Sequence, residues 1–389
     1  MHGSSRLPAL PSEVGITPEV WFGIERMLFD YAELSPEDDV IVVYTPDVRV
    51  PAAWVCLALN LWGARFSVVP MGPLSDSGFD ARLRAVVPKH RSRTGKCVVL
   101  VFEWETMSHN RVFREALHGH LPEQRRILRC INTGADLFSV GLLPHPEELS
   151  RKNSDLLAFL YGQRDVRVTT PSGTDLRISF DASAFAWISN RGLSENGRMI
   201  VLPAGEIATF PACIDGTLVA DFAVNVNYRF NGDVRLTTNP VVVEIRDSRL
   251  VSFECSDERI SSQLRMFFSM ESAVRVGEVG FGTHPAVGSA VPENSHLNER
   301  KVGIHLGFGQ HNQTNEAAGY IAQVHVDLIA SGGTVFLPGG AVLNLDDVPS
   351  TNAPHPLLLE SVDVFSPDIV PPDCCGISCS TNTENTTVS

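Results

Sequence analysis

At 389 residues the chain exceeds the roughly 250–300 residues that one hydrophobic core serves, so two domains are expected. Hydrophobic residues make up 43% and charged residues 20%, which excludes a disordered, collagen-like or coiled-coil chain. The formal net charge is −14, so a general affinity for nucleic acid or an anionic membrane is not expected.

The chain begins with a polar, Pro-containing stretch that lacks the apolar core of a signal peptide. Its most apolar run, residues 52–59, is too short to cross a bilayer, and a cytoplasmic protein is expected. Residues 39–44 (DVIVVY) form a continuous apolar run of buried-strand type, followed by a helical stretch at 52–62. Short apolar runs at 65–69, 97–102 and 127–131 alternate with polar segments, which predicts a parallel α/β sheet. The basic stretch Lys89-His90-Arg91-Ser92-Arg93 reads as a solvated loop. A helix over 146–160, with Glu147 and Glu148 in its first turn, is expected to close this α/β domain at about residue 164.

Beyond residue 164 the pattern changes to strands. Residues 166–170 and 176–180 alternate polar and apolar around Pro171-Ser172-Gly173-Thr174-Asp175, a hairpin signature. Further strands are predicted at 217–226, 240–246, 250–254, 322–329 and 334–337, with a helix over 256–270. A mostly β, α+β catalytic domain over 165–370 is therefore expected. Five cysteines (Cys56, Cys97, Cys130, Cys213, Cys255) are spaced singly like reduced core thiols, whereas Cys374, Cys375 and Cys379 crowd into a tail over 371–389 expected to be disordered.

Five of the twelve histidines, His284, His296, His305, His311 and His325, fall within a short span of the second half. In His325-Val326-Asp327 an imidazole and a carboxylate share one face of a strand at about 7 Å between Cα atoms, close enough to converge on a metal ion. The plainer alternative is a solvent face with two polar residues. His305 lies in GIHLGFG, where glycines leave room for a ligand or a second backbone. Glu206 (LPAGEIATFP) and Glu278 (GEVGFGT) sit among glycines and apolar residues, where a buried carboxylate is costly unless paired or bound to a cation. Either glutamate alone also fits a rim or capping position.

Taken in order, LPAGE-IATFP, GEVGFGTHPAV, HLNERKVGIHLGFG and HVDLIASGG resemble the catalytic domain of the aminopeptidase T/aminopeptidase S family of metallo-aminopeptidases, over roughly residues 165–345. The resemblance implies a dinuclear site on Glu206, Glu278, His305, His325 and Asp327, holding two divalent ions (Zn, Co or Mn) that activate water against the amino-terminal peptide bond. Glu278 would bridge the ions, and Glu206 would be the more peripheral carboxylate and a candidate base. A homodimer acting on a peptide or small-molecule substrate is also implied. The family's catalytic tyrosine has no counterpart in Gln310-His311-Asn312-Gln313-Thr314, and Tyr320 is the next one along.

The same segments are similar to dihydroxypyridine dioxygenases, which share the superfamily. That likeness implies one Fe(II) held by His305, His325 and Asp327, with His284 or His311 as acid–base groups. A family member without catalysis, serving in binding, is the third reading.

Overall fold

The computed structural model describes residues 6–10, 15–88, 95–104, 107–193 and 199–355. The basic stretch Lys89-His90-Arg91-Ser92-Arg93 and the cysteine-containing tail lie outside the described residues. The architecture is a parallel-sheet α/β region joined to antiparallel sheets.

The parallel sheet has five strands in the spatial order Arg65–Pro70, Asp39–Tyr44, Cys97–Phe102, Arg125–Cys130 and Met199–Leu202. The strands Asp39–Tyr44 and Cys97–Phe102 within it are near-continuous apolar runs because both faces are covered. Val40, Val42, Val98 and Leu100 pack with Ala52, Val55 and Leu59 of the helix Arg49–Trp62. The alternate residues Ile41, Val43, Val99 and Val101 pack with Phe79, Leu83, Phe113 and Leu117 on the other face. The last strand comes from beyond residue 164, so this sheet draws on both halves of the chain.

The helix Pro146–Leu160 has the expected bounds but joins two cores instead of closing one. Leu149 belongs to the core of the parallel sheet, whereas Leu156, Leu157 and Leu160 belong to that of the second half.

The second half contains a seven-stranded and a six-stranded sheet that share one core. The expected single strand over 217–226 is two strands in different sheets, Cys213–Ala220 and Ala223–Val226. The switch falls at Asp221-Phe222, where the Asp221 carboxylate accepts from Ser331 N and Phe222 N donates to Ile329 O. Those two bonds pull the chain from one sheet to the next. The six-stranded sheet runs Ala223–Val226, His325–Ser331, Gly303–Gly309, Val276–Gly282, Glu206–Thr209 and Trp187–Asn190 in spatial order. Val279, Phe281, Ile304, Leu306, Phe308, Val326 and Leu328 fill the core on one of its faces. Side chains alternate along a strand, so the intervening residues meet on the opposite face.

Candidate metal centre

That opposite face is where the register gathers the polar residues. Glu206 pairs with Gly282, His305 with Gly280, Glu278 with Gly307, Asp327 with Gly307 and Asn225, and His325 with Gly309. Cross-strand partners project to the same side, so five donors and four glycines form a single patch. The glycines make room for the rings. A Cβ on Gly280 would stand 2.0 Å from His305 Nε2, and one on Gly307 would stand 2.5 Å from His325 Cε1 and 2.9 Å from Glu278 Cβ.

All five donors are buried, and they form two adjoining groups. Glu206, Glu278 and His305 place ligand atoms within 4.8 Å of one another, and so do Glu278, His325 and Asp327. Glu278 belongs to both. His305 Nε2 is 2.9 Å from Glu206 Oε1 and 3.6 Å from Glu278 Oε1, while His325 Nε2 is 3.1 Å from Asp327 Oδ1. His325 Nδ1 lies 2.6 Å from the carbonyl of Gln310. A carbonyl only accepts, so Nδ1 carries a proton whatever the charge of the ring. Nε2 is the nitrogen turned toward the patch, where it would present its lone pair to a cation, the orientation of a metal-binding histidine.

The donor set fits a divalent cation on a further ground. Among the described residues His305 Nδ1 is buried without a hydrogen bond, and His305 Nε2 and Asp327 Oδ1 are buried facing other donors of the patch. Groups of this kind are costly to bury unless a cation or proton meets them.

Charge in the patch is tightly coupled. Burial disfavours an ionised Glu206, yet Arg300 and His305 hold its carboxyl below the usual range. Burial also disfavours a charged His305, but Glu206 and Glu278 push its pKa up to about 10. Burial raises Glu278. Asp327 is also opposed by burial, and the His325 charge holds it down at about 2. Two residues the sequence reading did not single out complete the arrangement. Arg300, buried, pairs with Glu206 and lies 3.3 Å from Glu299, and its Nε donates to Pro203 O at 3.0 Å. Glu299, raised well above the carboxylate range by burial and then by the Asp327 charge, hydrogen-bonds Asp327 and accepts from the Asn225 amide.

The other named histidines serve the backbone. His284 Nε2 meets Gly141 O at 3.1 Å and its Nδ1 accepts from Ala286 N, while His311 Nε2 meets Tyr320 O at 2.8 Å and its Nδ1 lies between two groups of Gln313. Neither has a ring nitrogen left for acid–base work. The Tyr320 hydroxyl donates to Gly309 O at 2.8 Å, and its ring lies against Arg275 and His311. Cys213 is not in apolar surroundings: it stands beside Asp215, and with Asp247 these form a third, more exposed donor group at the surface.

A cleft of about 420 Å³ is lined by residues that include Trp104, Asn132, Asn225, Tyr228, Arg229 and His296. Asn225 ties it to the patch, being the register partner of Asp327.

Against this geometry, residues 211–336 match a sequence family described as crocagin biosynthetic protein CgnE/B. The matched stretch takes in Glu278, His305, His325 and Asp327 and begins after Glu206. No curated protein matches the chain in sequence. Among solved structures the chain is similar to 2,5-dihydroxypyridine dioxygenase from Pseudomonas putida KT2440, at 15% identity and TM-score 0.57 over 86% of this chain and 97% of the other. It is also similar to wild-type AmpT from Thermus thermophilus, at 15% identity and TM-score 0.51 over 84% and 97%. These likenesses show a shared fold. No helix among the described residues is long and apolar enough to cross a membrane.

Proposed function

We propose that the chain is a metal-dependent hydrolase of the aminopeptidase type, acting on the amino-terminal amide bond of a peptide. The observation that carries the reading is the position of Glu278, common to two three-donor groups. Glu206, Glu278 and His305 would hold one ion, and Glu278, His325 and Asp327 the other. Two divalent ions (zinc, cobalt or manganese) supply a water of lowered pKa and polarise the scissile carbonyl. The chain's own part is to hold this charge. Glu278 offsets charge on both sides, the Gln310 carbonyl fixes the His325 ring, and Glu299 orients Asp327. Glu206 is a ligand in this scheme and not a base, because Arg300 occupies its Oε2 and lowers its proton affinity. A homodimer is the assembly that goes with the reading.

One observation favours a second reading. Arg300 already supplies a fixed positive charge to Glu206, which lessens the need for a second ion there. A single Fe(II) on His305, His325 and Asp327 would then act on a hydroxylated aromatic ring, and the fold shared with the dioxygenase supports it. Amino-acid release from an unblocked peptide, with none from its N-acetylated form, is the outcome expected of metal-loaded protein. Oxygen uptake with 2,5-dihydroxypyridine and no peptide cleavage would replace the first reading with the second.

A further inference from the structure

With Glu206 held by Arg300, Glu278 shared between two donor groups, and His284 and His311 spent on the backbone, amide hydrolysis still needs a group to carry a proton. The cleft supplies one. His296 lines it and opens the short helix His296–Glu299. On a helix, positions three and four apart lie on the same face. His296 is therefore neighbour to Glu299, which bonds Asp327, and to Arg300, which pairs with Glu206. The ring stands near enough for the charges of Arg300, Asp327, Glu206 and His325 all to act on it.

Its tautomer follows from the hydrogen bonds of Asn132. The Asn132 amide nitrogen faces two carbonyls, Trp104 O at 2.7 Å and Asn294 O at 3.4 Å, so its other atom must be the oxygen. That oxygen receives His296 N at 3.0 Å and His296 Nδ1 at 2.8 Å. Nδ1 therefore carries the proton and Nε2 the lone pair. Among the described residues Nε2 has no hydrogen bond. Burial, and then the Arg300 charge, lower the ring's pKa to about 4, so the ring is neutral at neutral pH and gives up an accepted proton readily.

We propose that His296 is the proton-transfer residue of the site, contacting an unblocked peptide in the Asn132–Tyr228 cleft, and that Asn132 is its positioning residue. The assignment rests on the hydrolase reading above. As the water oxygen bonds to the carbonyl carbon, one water proton passes to Nε2. As the carbon–nitrogen bond breaks, the same proton passes from Nε2 to the departing nitrogen. Nδ1–H stays on Asn132 throughout, and one water is consumed per bond cleaved.

The test uses the full, zinc-loaded chain with leucyl-p-nitroanilide as probe. His296→Gln is expected to lower kcat about 10²–10³-fold, with KM within about twofold and zinc content unchanged. Asn132→Ala is expected to lower kcat about tenfold, and in 15N-histidine-labelled protein it should replace the single Nδ1–H signal of His296 by a mixture of tautomers. Full kcat in His296→Gln, or a wild-type spectrum with the proton on Nε2, overturns the proposal. If the wild type cleaves neither this probe nor an unblocked peptide, the hydrolase reading fails by itself. The cleft assignment is then judged on the His296 Nε2 resonance as leucinamide is added: movement sustains it, and a fixed resonance overturns it.

Discussion

Individual atoms in the patch have little freedom. The His305 ring lies across Gly280, and a methyl group there would need to occupy the space of Nε2, at 2.0 Å. Gly280→Ala should therefore expel the ring and release at least one bound ion while the sheet persists, as metal analysis and circular dichroism would show. Unchanged metal content would mean that His305 is not a ligand. Arg300 is the opposite kind of residue, a buried cation between Glu206 and Glu299. Arg300→Met leaves buried carboxylates without their partner, and urea denaturation of the metal-free protein should show a loss of about 3–5 kcal/mol. A loss under about 1 kcal/mol would mean that the pair is as weak as an exposed one.

At the scale of elements, His284 joins the two halves, its ring reaching Gly141 in the first from a loop of the second. Burial lowers its pKa to about 4, against an ordinary value near 6.5. The folded state thus resists a proton that the unfolded chain accepts. Its stabilising effect is complete above about pH 6.5 and is lost as pH falls toward 4. His284→Asn should flatten the decline in thermal midpoint between those pH values, and an unchanged slope would assign it elsewhere.

The elements also show what the sequence could disclose. Buried-strand runs such as DVIVVY are legible because both faces are apolar, and they matched the parallel sheet. The donors on Val276–Gly282 and Gly303–Gly309 were legible for a different reason: glycine alternates with donor at period two. Arg300, Glu299 and His296 carry no such period. Their roles depend on Pro203, Asp327 and Asn132, distant in sequence and brought near only by the fold. Likewise the switch at Asp221 is set by Ser331, so 217–226 alone reads as one strand.

For the whole molecule, the second half is organised around a sheet with one apolar face and one face of crowded carboxylates. Glu206, Glu278, Glu299 and Asp327 lie together on the polar side, with Arg300 the one fixed cation set against them among the described residues. Bound divalent ions would relieve that repulsion and stabilise the folded state by mass action. Chelation should lower the thermal midpoint, and zinc should restore it; an indifferent midpoint would argue against a resident metal. Sharing of Glu278 by two ions is tested most directly by the metal content of purified wild-type and Glu278→Gln protein. Glutamine keeps the shape of the side chain but removes the charge that offsets two cations. Two zinc, cobalt or manganese ions per chain are expected in the wild type and at most one in the variant. One iron per chain in both proteins would contradict that sharing.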